Sequence, residues 1–286
     1  MSNDNVYLNG ELVPASQATV SVSDAGLLHG ASVFTTMLAR NGVVFRLAGH
    51  LKRLFDTVEI LGLRTDATIE ELTAAADALL QANELASARM RITLTPGSLR
   101  GTRCTTLVTA DPLPDYPRCW YEDGIDVVVS SFKQSANDVT YGRKTGCYLP
   151  RVLARQEAAG KGAEEALWFT ASNELAEACF NNVFLVLAGK VVTPPVDTPA
   201  LPGIVRQAVI ELCGGLDIDC DAEGKLTVRE MLDADEVFLT GSCMGIRPVV
   251  RIERHAVGQE KPGEVTKRIA LAYEDMLEKE CRRKGR

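Results

Sequence analysis

Gly241-Ser242-Cys243-Met244-Gly245 sets a thiol between two glycines directly after a strand-like run, Glu236 to Thr240, with His255 downstream as a possible base. That spacing suits a nucleophile raised on a sharp elbow, as in a hydrolase. An elbow needs more chain behind it to deliver an acid and a base, and a single histidine follows, so the hydrolase reading is remote. Two other turns suit an anion better. In Leu201-Pro202-Gly203-Ile204-Val205-Arg206 a glycine opens a helix and leaves main-chain N–H groups without intrahelical partners. In Thr240-Gly241-Ser242 a strand end carries small hydroxyls on a flexible backbone. Together they are suited to one phosphate. There is no Walker loop, G-x-G-x-x-G, H-E-x-x-H or G-x-S-x-G. The three histidines (29, 50 and 255) do not make a multi-histidine metal centre. The eight cysteines are dispersed without a C-x-x-C pair, so neither zinc nor a disulfide frame is expected.

The 286 residues carry 31 Lys plus Arg against 38 Asp plus Glu, a net charge of −7, with 46% hydrophobic and 24% charged residues. These values allow a sizeable core and exclude a disordered or fibrous chain. No Lys/Arg run forms a nucleic-acid stripe, and the basic cluster Arg282-Arg283-Lys284-Gly285-Arg286 reads as a solvated tail. Met1-Ser2-Asn3-Asp4-Asn5 lacks the parts of a signal peptide, and no apolar stretch approaches the roughly 20 residues that cross a bilayer. The expectation is a cytoplasmic protein with reduced thiols, a small-molecule substrate and no nucleic-acid or membrane partner.

The elements that must position these groups are mixed. Asn9-Gly10 and Asn41-Gly42 are hairpin turns between short apolar runs. Leu51, Leu54, Val58 and Leu61 recur at helical steps from about Ala48 to Leu61, and Thr68-Ile69-Glu70-Glu71 is a capping box opening a second helix. Met90 to Thr95 and Thr105 to Thr109 read as strands. Asp111-Pro112-Leu113-Pro114-Asp115-Tyr116-Pro117 excludes a helix or a central strand and marks a boundary. The expected division is a smaller N-terminal α/β domain over 1–116, a connection over 117–123 and a larger C-terminal domain over 124–286. In the larger domain a helix from about Leu149 to Ala159, strands near 166–170, 183–187 and 191–193, and a helix from Gly203 to Cys213 follow without regular βαβ alternation. This predicts an α/β (α+β) chain of two lobes rather than a doubly wound sheet.

At this point the chain resembles the class IV aminotransferases, the pyridoxal 5'-phosphate (PLP) enzymes of fold type IV. The segments that carry the likeness are Ser23-Asp24-Ala25-Gly26, Gly30-Ala31-Ser32-Val33-Phe34, His50-Leu51-Lys52-Arg53-Leu54, Lys144 with Tyr148-Leu149, Glu174-Leu175-Ala176-Glu177, Asn182-Val183-Phe184, Thr193-Pro194-Pro195, the Leu201–Arg206 turn and Val265-Thr266-Lys267-Arg268-Ile269. The resemblance implies that Lys144 forms a Schiff base with the cofactor, in a pocket that keeps it partly neutral by desolvation or a neighbouring cation, Arg143 being one candidate. It implies that Glu177 faces the pyridine nitrogen, with Glu174 the nearby competitor. Arg53, the N–H groups of Ile204 and Val205, and Ser242 would hold the phosphate, and Leu201 would pack on the ring. Phe34, Thr36, Arg100, Tyr148 and Cys243 would line the substrate, Arg103 being the alternative to Arg100. The larger lobe, a mixed sheet or barrel, would bind the cofactor, with the active site between lobes of a homodimer.

The family often has Ile-Thr-Arg where this chain has Ile204-Val205-Arg206, which removes a hydroxyl but no main-chain donor. Pro96 stands where arginine is common. The segments from Thr193 onward look most like branched-chain aminotransferases, which move an amino group between a branched-chain or D-amino acid and a 2-oxo acid. Phe34-Thr35-Thr36 and Arg100-Gly101 look more like aminodeoxychorismate lyase, which releases pyruvate and 4-aminobenzoate. Transamination is the first reading and the lyase the alternative; handedness stays open.

Overall fold

Two tight turns set the register of the first sheet. Asn9 and Gly10 take φ of 51° and 103°, and Asn41 and Gly42 take 53° and 71°. Such left-handed values close two-residue hairpins whose twist matches the strands. They join β1 (Asn5–Leu8) to β2 (Glu11–Pro14), and β3 (Val33–Arg40) to β4 (Val43–Val44), as the sequence predicts. Between them α1 (Ala25–His29) is capped by Asp24, whose carboxylate accepts from the Gly26 N–H at 2.7 Å and from the Thr95 and Thr105 hydroxyls at 2.8 and 2.7 Å. The computed structural model describes residues 4–101 and 103–282, so the first three residues and the basic cluster beyond Arg282 lie outside the described residues.

β5 (Ala88–Thr95) and β6 (Thr105–Pro112) complete a six-stranded antiparallel sheet of order β2-β1-β6-β5-β3-β4. The sequence reading ends β6 at Thr109, but the strand continues. A proline at its last position forfeits only one donor, and Asp111 pairs with Arg89 across the ladder at 3.3 Å. α2 (Leu47–Ile60) and α3 (Ile69–Ala82) bury Leu51, Leu54, Val58, Leu72 and Leu79 in one core with Met37, Met90 and Ile92 of the sheet. Each such side chain contributes about 1.5–3 kcal/mol of transfer free energy. The Thr68/Glu71 capping box at the start of α3 is formed in both directions.

The chain divides into two compact units. One holds the described parts of residues 1–114, 144–147 and 277–286; the other holds 115–143 and 148–276. The second unit contains α4 (Cys119–Glu122), β7 (Ile125–Gln134), α5 (Leu149–Gly160), β8 (Glu165–Thr170), β9 (Leu175–Ala178), β10 (Asn182–Leu187) and β11 (Lys190–Val192). α6 (Ile204–Gly215), β12 (Cys220–Asp221), α7 (Val228–Leu232), β13 (Glu236–Gly241), β14 (Gly245–Ile252) and β15 (His255–Ala256) follow. α8 (Glu264–Glu280) begins on Glu236, whose carboxylate accepts from the N–H groups of Val265 and Thr266 at 3.0 and 2.8 Å.

These strands form a nine-stranded mixed sheet of order β12-β11-β10-β13-β14-β7-β8-β9, with β15 paired to β14; β14 with β7, β7 with β8 and β11 with β12 run parallel. The path separates β9 from β10 by five strand spacings, about 24 Å if the sheet were flat. Only residues 179–181 connect them, and four Cα steps reach at most about 15 Å. The sheet is therefore curled, and the Ala178 N–H closes the join on the Asn181 carbonyl at 2.7 Å. Both sheets carry helices, in agreement with the expected two-lobed α+β class.

Candidate active site

In the first unit the chain lays residues 144–146 along the start of β3. The Phe34 N–H donates to the Lys144 carbonyl at 2.9 Å, the Gly146 N–H donates to the Ser32 carbonyl at 2.8 Å, and Thr145 bridges Val33. Gly146 permits this approach, because a Cβ there would stand 2.5 Å from Ser32 Oγ and 2.6 Å from the Gly30 carbonyl oxygen. Lys144 is half-buried, with Nζ 5.2 Å from the centroid of the Phe34 ring. Arg91, from β5, stacks on the same ring with Cζ at 3.6 Å. Phe34 and Thr36 share a face of β3, and Thr36 is registered opposite Arg91.

Thr35 lies on the other face of β3, against α2. Arg53 donates to its hydroxyl at 3.2 Å, and that hydroxyl has its own proton to give to His50 Nδ1, 2.9 Å away. His50 is buried; burial, reinforced by the Arg53 and Lys144 cations, pushes its pKa well below the ordinary value. It is a neutral imidazole that accepts at Nδ1.

In the second unit Glu177, on β9, is 3% exposed. Its Oε1 accepts from Arg151 at 2.5 Å and from Gln134 Nε2 at 3.2 Å, and its Oε2 accepts from the Leu201 N–H at 2.9 Å. A carboxylate offers about four acceptor positions. Three are used by the described residues, which leaves one on Oε2 among them. Arg151, in the first turn of α5, is also buried, gives two further bonds to the carbonyls of Ala178 and Cys179, and lies among the rings of Tyr141, Tyr148 and Trp168. Burial opposes the Arg151 charge, but the Glu177 carboxylate against it raises the Arg151 pKa.

From Leu201, whose carbonyl accepts from Asn182 Nδ2 at 2.8 Å, the chain turns into α6. Glycine at 203 leaves room for Asn182, since a Cβ would stand 2.0 Å from its Oδ1 and displace it. Gly203 has no side chain to cap the helix, so the N–H groups of the buried Ile204 and Val205 precede the first intrahelical acceptor without a side-chain cap. Across the β10–β13 pair from Asn182, the buried Thr240 Oγ1 has no hydrogen-bond partner among the described residues, and Ser242 follows at the β13–β14 turn. Main-chain donors at a helix start, an orphan hydroxyl and a serine suit an anionic oxygen group such as a phosphate.

The remaining sequence candidates fall as follows. Glu174 is partly exposed and pairs with Lys225 at 2.8 Å. Arg143 donates to the Val139 and Tyr141 carbonyls. Tyr148 is half-buried and stacks on Phe180, while Arg100 and Arg103 are exposed in the loop after β5. Cys243 overturns the hydrolase reading: it lies in a hairpin turn between antiparallel β13 and β14, so a strand rather than a helix follows it. His255, on exposed β15, meets the Leu232 carbonyl at 3.1 Å. Among the described residues no group of three or more His, Cys, Asp or Glu side chains is placed to hold a metal. Sequence reasoning assigned no role to Thr35, His50, Arg91, Gln134 or Arg151, whereas Thr240 stood in one of the two turns suited to a phosphate. For Arg151 a signal was available: α5 buries Arg151, Ala154 and Ala158 on one stripe and exposes Leu149, Val152 and Leu153. An arginine on an alanine stripe needs a buried partner.

The family model for class IV amino-transferases matches residues 32–252. The branched-chain-amino-acid aminotransferase of Escherichia coli K12 is 32% identical over 284 residues, covering 94% of this chain and 92% of that protein. A crystal structure of the E. coli branched-chain enzyme superposes with a TM-score of 0.92 at 31% identity, covering 99% of this chain and 97% of that one. The branched-chain aminotransferase of the thermophilic archaeon Thermoproteus uzoniensis, solved with norvaline, gives 0.89 at 28% identity, covering 98% and 96%. A further branched-chain amino acid aminotransferase, solved with pyridoxamine 5'-phosphate, gives 0.90 at 27% identity, covering 96% and 94%. A Legionella pneumophila structure assigned as a 4-amino-4-deoxychorismate lyase gives 0.80 at 23% identity, covering 91% and 97%, a likeness of fold alone.

Proposed function

The chain belongs to the class IV aminotransferases, and from that premise we propose that it is a PLP-dependent transaminase passing the amino group of branched-chain amino acids to a 2-oxo acid. One observation carries the reading: likeness to branched-chain aminotransferases covers nearly the whole chain, including the segments that hold Lys144 and Glu177. The residues also fit the cofactor. Glu177 keeps one acceptor position for a ring N–H, and the start of α6 with Thr240 offers unmatched donors to a phosphate.

Bound PLP supplies the electrophilic carbon and the electron sink that transamination needs. Lys144 supplies the covalent amine and, as a free amine, moves a proton at the substrate α-carbon. Glu177, held by Arg151 and oriented by Gln134 and the Leu201 N–H, would accept from the ring nitrogen. Arg53, the N–H groups of Ile204 and Val205, and Ser242 bind phosphate, and Leu201 packs on the ring. Phe34, Thr36, Arg100, Tyr148 and Cys243 line the substrate, with Arg91 adding a cation beside Phe34. A second copy of the chain covers the apolar residues Leu149, Val152 and Leu153 that α5 leaves exposed. No helix among the described residues is long and apolar enough to cross a membrane, and a cytoplasmic location is part of the proposal.

The test offers the PLP-loaded protein leucine, isoleucine and valine of either hand with 2-oxoglutarate, and separately aminodeoxychorismate. Glutamate formed in step with a branched-chain 2-oxo acid supports the reading. 4-Aminobenzoate formed without any 2-oxo acid replaces it by the lyase, which rests on Thr36 and Arg100-Gly101.

A further inference from the structure

The connection that the sequence places over 117–123 contains α4, and this short helix packs on β14. The Trp120 N–H donates to the Pro117 carbonyl at 3.0 Å, and the Gly124 N–H donates to the Cys119 carbonyl at 3.1 Å, so both ends of the helical turn are tied. Gly124 then carries the chain past β14 at φ 93°, where a Cβ would stand 2.4 Å from Val250 Cγ1. Trp120 packs against the core of the curled sheet, with its ring 5.4 Å from the guanidinium carbon of Arg247 on β14. Arg247 is 1% exposed, and its Nε and Nη2 have no hydrogen-bond partner among the described residues. An indole face is a favourable neighbour for a cation so far removed from water, and the contact seats α4 on the strand. The next side chain, Tyr121, donates its hydroxyl to the Met244 carbonyl at 3.0 Å.

Met244 belongs to the turn between β13 and β14. Gly241 and Gly245 are paired at its base, so residues 242–244 form a three-residue loop. Gly245 closes the loop at φ 65°, the left-handed position that such hairpins give to glycine. The strand pair holds the base of the loop, and a bond from outside to its last carbonyl fixes the peptide plane at the tip. We propose that Tyr121 is a positioning residue: through the Met244 carbonyl it holds the 242–244 turn, and so keeps the Ser242 hydroxyl directed at the cofactor phosphate. The proposal rests on the reading of this turn as part of the PLP site. Tyr121 touches neither cofactor nor substrate in it. The side chain is 37% exposed, so the core does not depend on its hydroxyl.

PLP affinity is measured by equilibrium dialysis for the unaltered protein, Tyr121→Phe, Ser242→Ala and the double variant, and urea unfolding is followed for each without PLP. One neutral hydrogen bond corresponds to about fivefold in an equilibrium constant. Tyr121→Phe is therefore expected to raise the PLP dissociation constant about fivefold while the urea midpoint stays unchanged. In the Ser242→Ala background the same change should cost much less, because both side chains act on one turn. An unchanged affinity in Tyr121→Phe, or losses that simply add in the double variant, overturns the proposal. So does a urea midpoint that falls together with the affinity, since Tyr121 would then serve the fold and not the turn. If the unaltered protein takes up no PLP, the cofactor reading itself falls and this proposal with it; the other outcomes leave that reading standing.

Discussion

The buried Arg151–Glu177 pair is the feature on which the proposed cofactor contact rests. Arg151 pairs with the Glu177 carboxylate, while Gln134 and the Leu201 N–H fix its direction. Removing one partner strands the other. Arg151→Met is expected to cost about 3–5 kcal/mol in urea unfolding, and the double variant Arg151→Met with Glu177→Gln should recover most of that. Equal losses in the single and double variants would refute the coupling. At Lys144, Ala should lower turnover by about 10³-fold or more while leaving the unfolding midpoint close to that of the unaltered protein.

At the scale of the element, α2 brings Arg53 and His50 under β3, and the neutrality of His50 becomes a property of the whole helix–sheet contact. The unfolded chain protonates this histidine near the ordinary value of 6.5, while the folded chain resists. Below that pH the unfolded state therefore binds the extra proton. Stability falls by up to about 1.4 kcal/mol per pH unit until the folded pKa is reached, and above 6.5 the penalty vanishes. His50→Asn, whose carbonyl can still accept from Thr35, should flatten the difference in urea midpoint between about pH 7.5 and 5.5; an unchanged difference would remove His50 from the account. At the start of α6, Gly203→Ala must displace Asn182 and should cost about 1–3 kcal/mol in thermal unfolding. Elements ruled by local chemistry were readable in advance: the Asn-Gly hairpins, the Thr68 capping box and the glycine opening α6 each follow from neighbours in sequence. Arg151 with Gln134 and Glu177, or Thr35 with His50, are meetings across 15 to 43 positions that no local pattern contains.

For the whole molecule, the sequence showed a two-part α+β chain because hairpin turns, helical stripes and a proline-rich connection are compositional signals. The return of residues 144–147 to the first unit is a matter of tertiary pairing with β3, which periodicity does not encode. The exposed Leu149, Val152 and Leu153 predict self-association: light scattering should give the mass of two chains, and Leu153→Glu should shift it toward one. The most direct test of the central claim is chemical. Protein saturated with PLP is reduced with borohydride, digested and mapped by mass spectrometry. The account predicts a phosphopyridoxyl group on Lys144; the group on another lysine, or on none, would contradict it.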